Sequence, residues 1–237
     1  MTEANIEQIE QFKKEYCRSN DRRLAINEDF AVEVMSYEEL LPGNTVRSYA
    51  TGSREINGGF IVFRVTDTLS GIVYYPIFSD SVGRELIKAW GMELPSKMTV
   101  FTCGGNGNGR NHGAGSHIIQ RKDENRKMLQ LIQFARSMMI LHINEPEPMR
   151  EPFRGIYDKL EKNPRYNVFE SDIKSINTAI LHFFNKPVNT QNENFTNLQQ
   201  YISYLQNQYP NRHLRNFDFN VLRNKMKAEY PNETIAF

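Results

Sequence analysis

Between Cys103 and Lys122 lies the densest run of chemistry-bearing residues in the chain. The stretch "GGNGNGRNHGAGSH", Gly104 to His117, carries six glycines, three asparagines, two histidines and Arg110. Three chemistries suit such a composition. Glycines remove side chains from the backbone, so successive N–H groups can point at a phosphate. Cys103, His112 and His117 are ligand types that zinc accepts, with water or His142 as a fourth. The histidines can also shuttle protons as acid or base.

Most specific versions of these chemistries lack a required residue. A phosphate-cradling Walker loop needs Gly-Lys-Ser/Thr, and no lysine stands between Gly104 and Gln120. The dinucleotide spacing G-x-G-x-x-G is absent as well. "GNGR" at 107–110 is similar to the core of Fic-type AMP-transfer motifs, but the catalytic histidine of that motif would fall at Thr102, so the transfer chemistry has no base. The spacing C-x8-H-x4-H matches no metal knuckle, and Cys103 ends an apolar run where a buried inert thiol is the ordinary outcome. We therefore expect no metal and no cofactor, and no catalytic residue is assigned.

What survives is a gripping element. Arg110, His112, His117, Arg121 and Lys122 place positive charge beside many backbone donors, with only Asp123 and Glu124 opposing them. The partner this predicts is a polyanion, single-stranded nucleic acid above all, because sequence-tolerant binding needs cations for phosphates and aromatic faces for bases. The strand-like runs supply aromatics beside arginines. Alternation along "TVRSYAT" puts Arg47 with Tyr49, "FIVFRV" puts Phe60 with Arg64, and "IVYYPIF" leaves either Tyr74 and Phe78 or Tyr75 and Ile77 outside. Arg47, Tyr49, Phe60, Arg64, Tyr74, Arg110, His112, His117, Arg121 and Lys122 are thus the candidate nucleic-acid contacts. A second basic cluster, Arg212, His213 and Arg215 with Arg223, Lys225 and Lys227 on the following helix, could touch phosphate, but such a run is more often a solvated helix face. His142 and His182 sit inside apolar helical patterns and read as core histidines.

Bulk composition narrows the classes without choosing among them. The 237 residues are 39% hydrophobic and 24% charged, which suits a folded chain able to bury a core without disulfides or metals. A net charge of +1 means that any affinity for a polyanion must come from local patches. With two cysteines, no apolar leader at the start and no apolar run of membrane length, the chain reads as a soluble protein of a reducing, cytoplasmic compartment.

These residues are positioned by a two-part chain. Prolines in "INEPEPMREP" divide an α+β part, residues 1–144, from a helical part, residues 149–237. The first part is expected to hold a helix over 5–18 and then strands over 44–51, 58–66 and 71–78. A helix from 79 closed by Gly91 follows, then strands over 97–103 and 116–122 and a helix over 123–143. That order fits an OB-like small barrel, or another mixed sheet with flanking helices, in which the Gly-rich stretch is a loop between the last two strands. Four helices are expected beyond, forming a bundle that handles protein partners or self-association. Besides the non-enzymatic nucleic-acid binder, two readings stand: an assembly or interaction component, viral or phage among the sources considered, and an enzyme on a phosphorylated substrate using His112 or His117.

Overall fold

The computed structural model describes residues 2–50, 55–101, 122–142, 149–184 and 195–237. The fold is mixed α+β, with a five-stranded mixed sheet, a separate two-stranded ladder and a helical C-terminal part. Two compact units form, residues 1–98 with 143–148, and residues 99–142 with 149–237. The sequence division at the prolines placed the helix over 123–143 with the first part. That helix in fact packs against helices of the second unit.

In the first unit, α1 (Ile6–Tyr16) is started by a reciprocal cap: the side chain of Asn5 accepts from the Gln8 N–H, and the Gln8 side chain accepts from the Asn5 N–H. Helix α2 (Asn20–Asp29) begins on Ser19, whose hydroxyl accepts from the Arg22 N–H. The sheet runs β1 (Thr2–Glu3), β6 (Ile72–Tyr74), β5 (Gly59–Thr66), β2 (Ala31–Glu39), and β7 (Ile77–Ser79) also pairs with β5. Only β1 with β6 is parallel in this set; β2, β6 and β7 run antiparallel to β5.

Alternation along β5 sends Ile61, Phe63 and Val65 into one core with Phe12, Ile26, Phe78, Leu86 and Ile87, as the sequence pattern predicts. The opposite face is buried too: Phe60 and Val62 have no exposed surface. Along β2 the register with β5 slips by one residue between Val34 and Ser36. This bulge at Met35 reverses the faces, so Val32 and Val34 before it and Tyr37 after it all reach the same core. Helix α3 (Asp80–Ala89) buries Gly83, Leu86 and Ile87 and ends at Gly91, at φ +66°. There the Gly91 N–H donates to Lys88 and the Met92 N–H to Ile87, a paired closure that needs the left-handed backbone glycine supplies.

Several expected strands are corrected. Among the described residues the sheet does not close into a barrel. Pro76, with no N–H to donate, separates β6 from β7 inside the expected 71–78 strand. Among the described residues 44–50 only β3 (Val46–Arg47) is paired as a strand, and it pairs with β4 (Glu55–Ile56) apart from the main sheet. The run from 97 contributes single bridges, Met98 to Glu38 and Phe101 to Leu214. Most of the strand expected over 116–122 lies outside the described residues.

The second unit is built from α4 (Asp123–His142), α5 (Phe153–Lys162), α6 (Glu170–Phe184), α7 (Leu198–Gln208) and α8 (Asn220–Glu229). Its interior comprises Met128, Leu131, Ile132 and Phe134 on α4, Ile173, Ile176 and Ile180 on α6, Tyr201 and Leu205 on α7, and Leu222 and Met226 on α8. On α6, α7 and α8 these residues recur at three- and four-residue spacing and form one buried stripe each, whereas α4 is buried on all sides from Leu131 to Met138. His182 is exposed near the end of α6, contrary to its expected core position. Among the described residues, no helix is long and apolar enough to cross a membrane.

Candidate nucleic-acid interface

Among the described residues, the sequence-expected contacts on the strands do not share one face of the sheet. Phe60 is fully buried and presents no ring face to a base. Arg64, on the same side of β5, is half-buried and lies 3.4 Å from the Glu33 carboxylate. Tyr49 and Tyr74 belong to the other side, packed against the core that Ile61, Phe63 and Val65 form. Lys13 holds its ammonium 4.7 Å above the Tyr49 ring. Arg47 is exposed on β3, opposite Glu55 in register. Lys122 is exposed ahead of α4, where its N–H donates to the Pro164 carbonyl and its ammonium to the Asn167 side chain. Arg110, His112, His117 and Arg121, with the whole Gly104–His117 stretch, lie outside the described residues.

Tyr74 sits in an environment hostile to phosphate. Together with Phe12, Tyr16 and Phe30 it lines a cavity of about 510 Å³ whose other lining residues include Glu7, Glu15 and Asp67. Burial first, and then the charges of Asp67 and Glu15, raise the Tyr74 hydroxyl above the ordinary tyrosine range. Tyr16 is raised for the same leading reason, with the Asp29 hydrogen bond and charge next. Negative charge that disfavours a phenolate equally disfavours a phosphodiester.

The basic surface lies in the helical unit instead. A cleft of about 450 Å³ is lined by Arg212, His213 and Arg215 together with the side-chain amides of Gln199, Gln206 and Asn216. Among the described residues none that line it is Asp or Glu. Neighbouring Asp218 turns its carboxylate to the Asn220 N–H. Helix α7 buries Leu198, Tyr201 and Leu205, which leaves Gln199, Ile202 and Gln206 for the cleft side.

The loop after α7 is held firmly, which fixes the cations it carries. The Arg215 N–H donates to the Val100 carbonyl at 3.0 Å, and Leu214 bridges to Phe101. The Arg215 guanidinium donates to the Gln133 side chain at 3.2 Å. The Arg212 guanidinium lies 5.0 Å over the Phe101 ring, and Phe217 stacks on Phe134 at 4.3 Å between centroids. Sequence reading noticed Arg212, His213 and Arg215 but not the amides. Their only signal was Gln199 and Gln206 at seven-residue spacing on the polar side of a helix.

Among the described residues no group of three His, Cys, Asp or Glu side chains is placed to hold a metal ion. Cys103, His112 and His117 lie outside those residues. Cys17 is free and buried, and burial pushes its thiol up to about 12, so it is inert at neutral pH. No family model, curated protein or solved structure matches the chain.

Proposed function

We propose that this protein is a non-enzymatic binder of single-stranded nucleic acid and that the strand lies in the cleft beside α7. One observation carries the reading: a concave surface lined by two arginines, a histidine and three amide side chains, with no carboxylate among the described lining residues. Guanidiniums match phosphate geometry with paired N–H donors, amides offer both donors and acceptors to base edges, and the half-buried ring of Phe217 supplies an apolar wall. The Gly-rich stretch supports the same reading. Phe101 bridges to Leu214 in the cleft wall, and Arg110 follows nine residues later, so the chain tethers that arginine within about 30 Å of the site. A reducing, intracellular setting agrees with the free thiol of Cys17.

The test is a titration of labelled single-stranded DNA and RNA at two salt concentrations. Affinity falls steeply with salt if phosphate contacts drive it, and the slope becomes shallower by roughly 1.4 when Arg212→Ala and Arg215→Ala remove two contacts. No binding at low salt sinks the reading. Binding that survives the double substitution but is lost in Arg110→Ala with Arg121→Ala moves the site from the cleft to the Gly-rich stretch.

A further inference from the structure

The cavity beneath α1 has the opposite character from the basic cleft. Its floor is a cluster of four rings. Phe12 stacks on Tyr74 at 4.5 Å and on Tyr16 at 5.4 Å, and Phe30 stands nearly perpendicular to all three, at 5.0 to 6.1 Å. Its rim carries Glu7, Glu15 and Asp67, and among the described residues none that line it is Lys, Arg or His. The row Glu7, Gln11, Glu15 follows from four-residue spacing on α1, which brings all three to one side of the helix. Asp67 arrives from the turn between β5 and β6. It accepts from the Leu69 and Ser70 N–H groups and the Ser70 hydroxyl, and these hydrogen bonds hold its carboxyl below the ordinary range. Of the two lysines on α1, Lys13 is engaged with Glu10 at 2.8 Å and over the Tyr49 ring, and Lys14 is exposed and does not line the cavity.

A second feature adjoins the lining residues in sequence. Ile6 precedes the rim residue Glu7 and is 82% exposed, and Leu69 follows Asp67 by two positions and is 98% exposed. Among the described residues they are the two most exposed of the large apolar side chains. Apolar side chains left in water beside a concave site are what a protein interface covers on binding, whereas a small ligand inside the cavity would leave both bare.

We propose that this cavity is a docking site for a basic segment of a partner protein, with a lysine or arginine side chain inserted over the rings. The long apolar stem of either side chain lies on aromatic carbon while its cationic head meets the carboxylates at the rim. Ile6 and Leu69 cover the flanking residues of the same segment. The volume falls within the range of about 300–1,000 Å³ typical of built ligand sites. This site belongs to the first unit and uses no residue of the basic cleft, so it stands or falls independently of nucleic-acid binding.

Fluorescence anisotropy with a labelled octapeptide of alternating Lys-Leu-Arg-Leu composition tests it, using the intact chain. Saturable binding is expected, weakened at least tenfold by Glu7→Gln with Glu15→Gln and at least fivefold by Ile6→Ser with Leu69→Ser. All four positions are at the surface, so circular dichroism melting should be unchanged and a loss of affinity is not a loss of fold. A matching peptide with glutamate at the basic positions should not bind. The proposal is overturned by absence of binding at low salt, or by equal affinity in the carboxylate double variant. It is also overturned if tetramethylammonium displaces the peptide completely at low millimolar concentration while the Ile6/Leu69 variant binds normally, which would make the site one for a small cation. Loss of a wild-type dimer in the carboxylate variant would make the occupant a second copy of this chain, and likewise overturns it.

Discussion

Tyr74 lies face to face with Phe12, with ring centroids 4.5 Å apart and planes 17° from parallel. One ring comes from β6 and the other from α1, so the pair joins helix to sheet. Register explains the geometry: Tyr74 is opposite Val65 on β5, and Val65 points into the core that α1 covers. A tyrosine that strand alternation alone leaves free to face outward is therefore committed to packing.

Phe12 is the hub of that joint, buried and in ring contact with Tyr16, Phe30 and Tyr74. Phe12→Ala should destabilise the protein by about 3–5 kcal/mol, the cost of losing a buried ring and leaving a cavity. Phe12→Leu, which keeps most of the volume, should cost less than half of that. Urea denaturation midpoints measure both, and equal stability of wild type and the alanine variant would show that α1 does not depend on this contact.

Gly83 marks where α3 meets β5. A Cβ built there would stand 2.8 Å from Cδ1 and 2.9 Å from Cβ of Ile61, so one of the two elements must move. Helix propensity favours Gly83→Ala by about 1 kcal/mol, but overpacking of this kind costs about 1–3 kcal/mol. The expected result is net destabilisation, only partly relieved by Ile61→Val because the close contact with the Ile61 Cβ remains. Thermal melting of the two single variants and the double variant shows whether the effects are coupled.

The parts of the fold that local pattern controls were legible in the sequence. Ile61, Phe63 and Val65 alternate, Leu86, Ile87 and Trp90 follow a helical period, and Gly91 closes α3 as expected. Strand β2 carries no single period in the sequence, because the bulge at Met35 shifts its apolar residues from even to odd positions. The candidate cleft was half legible: Arg212, His213 and Arg215 stand out as charge. Their meeting with Gln199 and Gln206 depends on Leu214 bridging to Phe101 and Arg215 bonding Val100, pairings between distant residues that no local spacing encodes. Phe60 and Tyr74 failed as exposed aromatics for a tertiary reason, since both faces of β5 are covered.

Asn177 fastens the last residues of the chain to α6. Its side-chain N–H donates to the Thr234 carbonyl and its oxygen accepts from the Ala236 N–H, both at 2.8 Å, while the Ala236 carbonyl accepts from the Leu198 N–H at the start of α7. Asn177→Ala leaves the buried Ala236 N–H bare, at about 1–3 kcal/mol. Asn177→Asp should also destabilise, because it turns a donor into an acceptor against the Thr234 carbonyl. Hydrogen exchange provides a local readout: the Ala236 amide should exchange faster in both variants, and unchanged protection there would count against the clamp.

Tyr166 and Asp172 give the helical unit a pH response at the alkaline end. The Tyr166 hydroxyl donates to the Asp172 carboxylate at 2.9 Å, and the same carboxylate oxygen accepts from the Phe169 N–H at 3.1 Å ahead of α6. Burial, then the hydrogen bond and charge of Asp172, push the Tyr166 hydroxyl up to about 12. Because the folded state holds this proton more tightly than the unfolded chain, its contribution is complete below the ordinary tyrosine value of about 10 and is lost as pH rises through the folded value. Tyr166→Phe should cost about 1.5 kcal/mol at neutral pH, as expected for a hydrogen bond to a charged acceptor. The gap between wild type and variant should then narrow between pH 10 and 12, since only the wild type has this proton to lose. Tyr16, Tyr74 and Tyr209 are raised as well, so the difference between the two proteins is the quantity to follow. A gap that stays constant across that window would mean the Tyr166 hydroxyl does not hold its proton through Asp172.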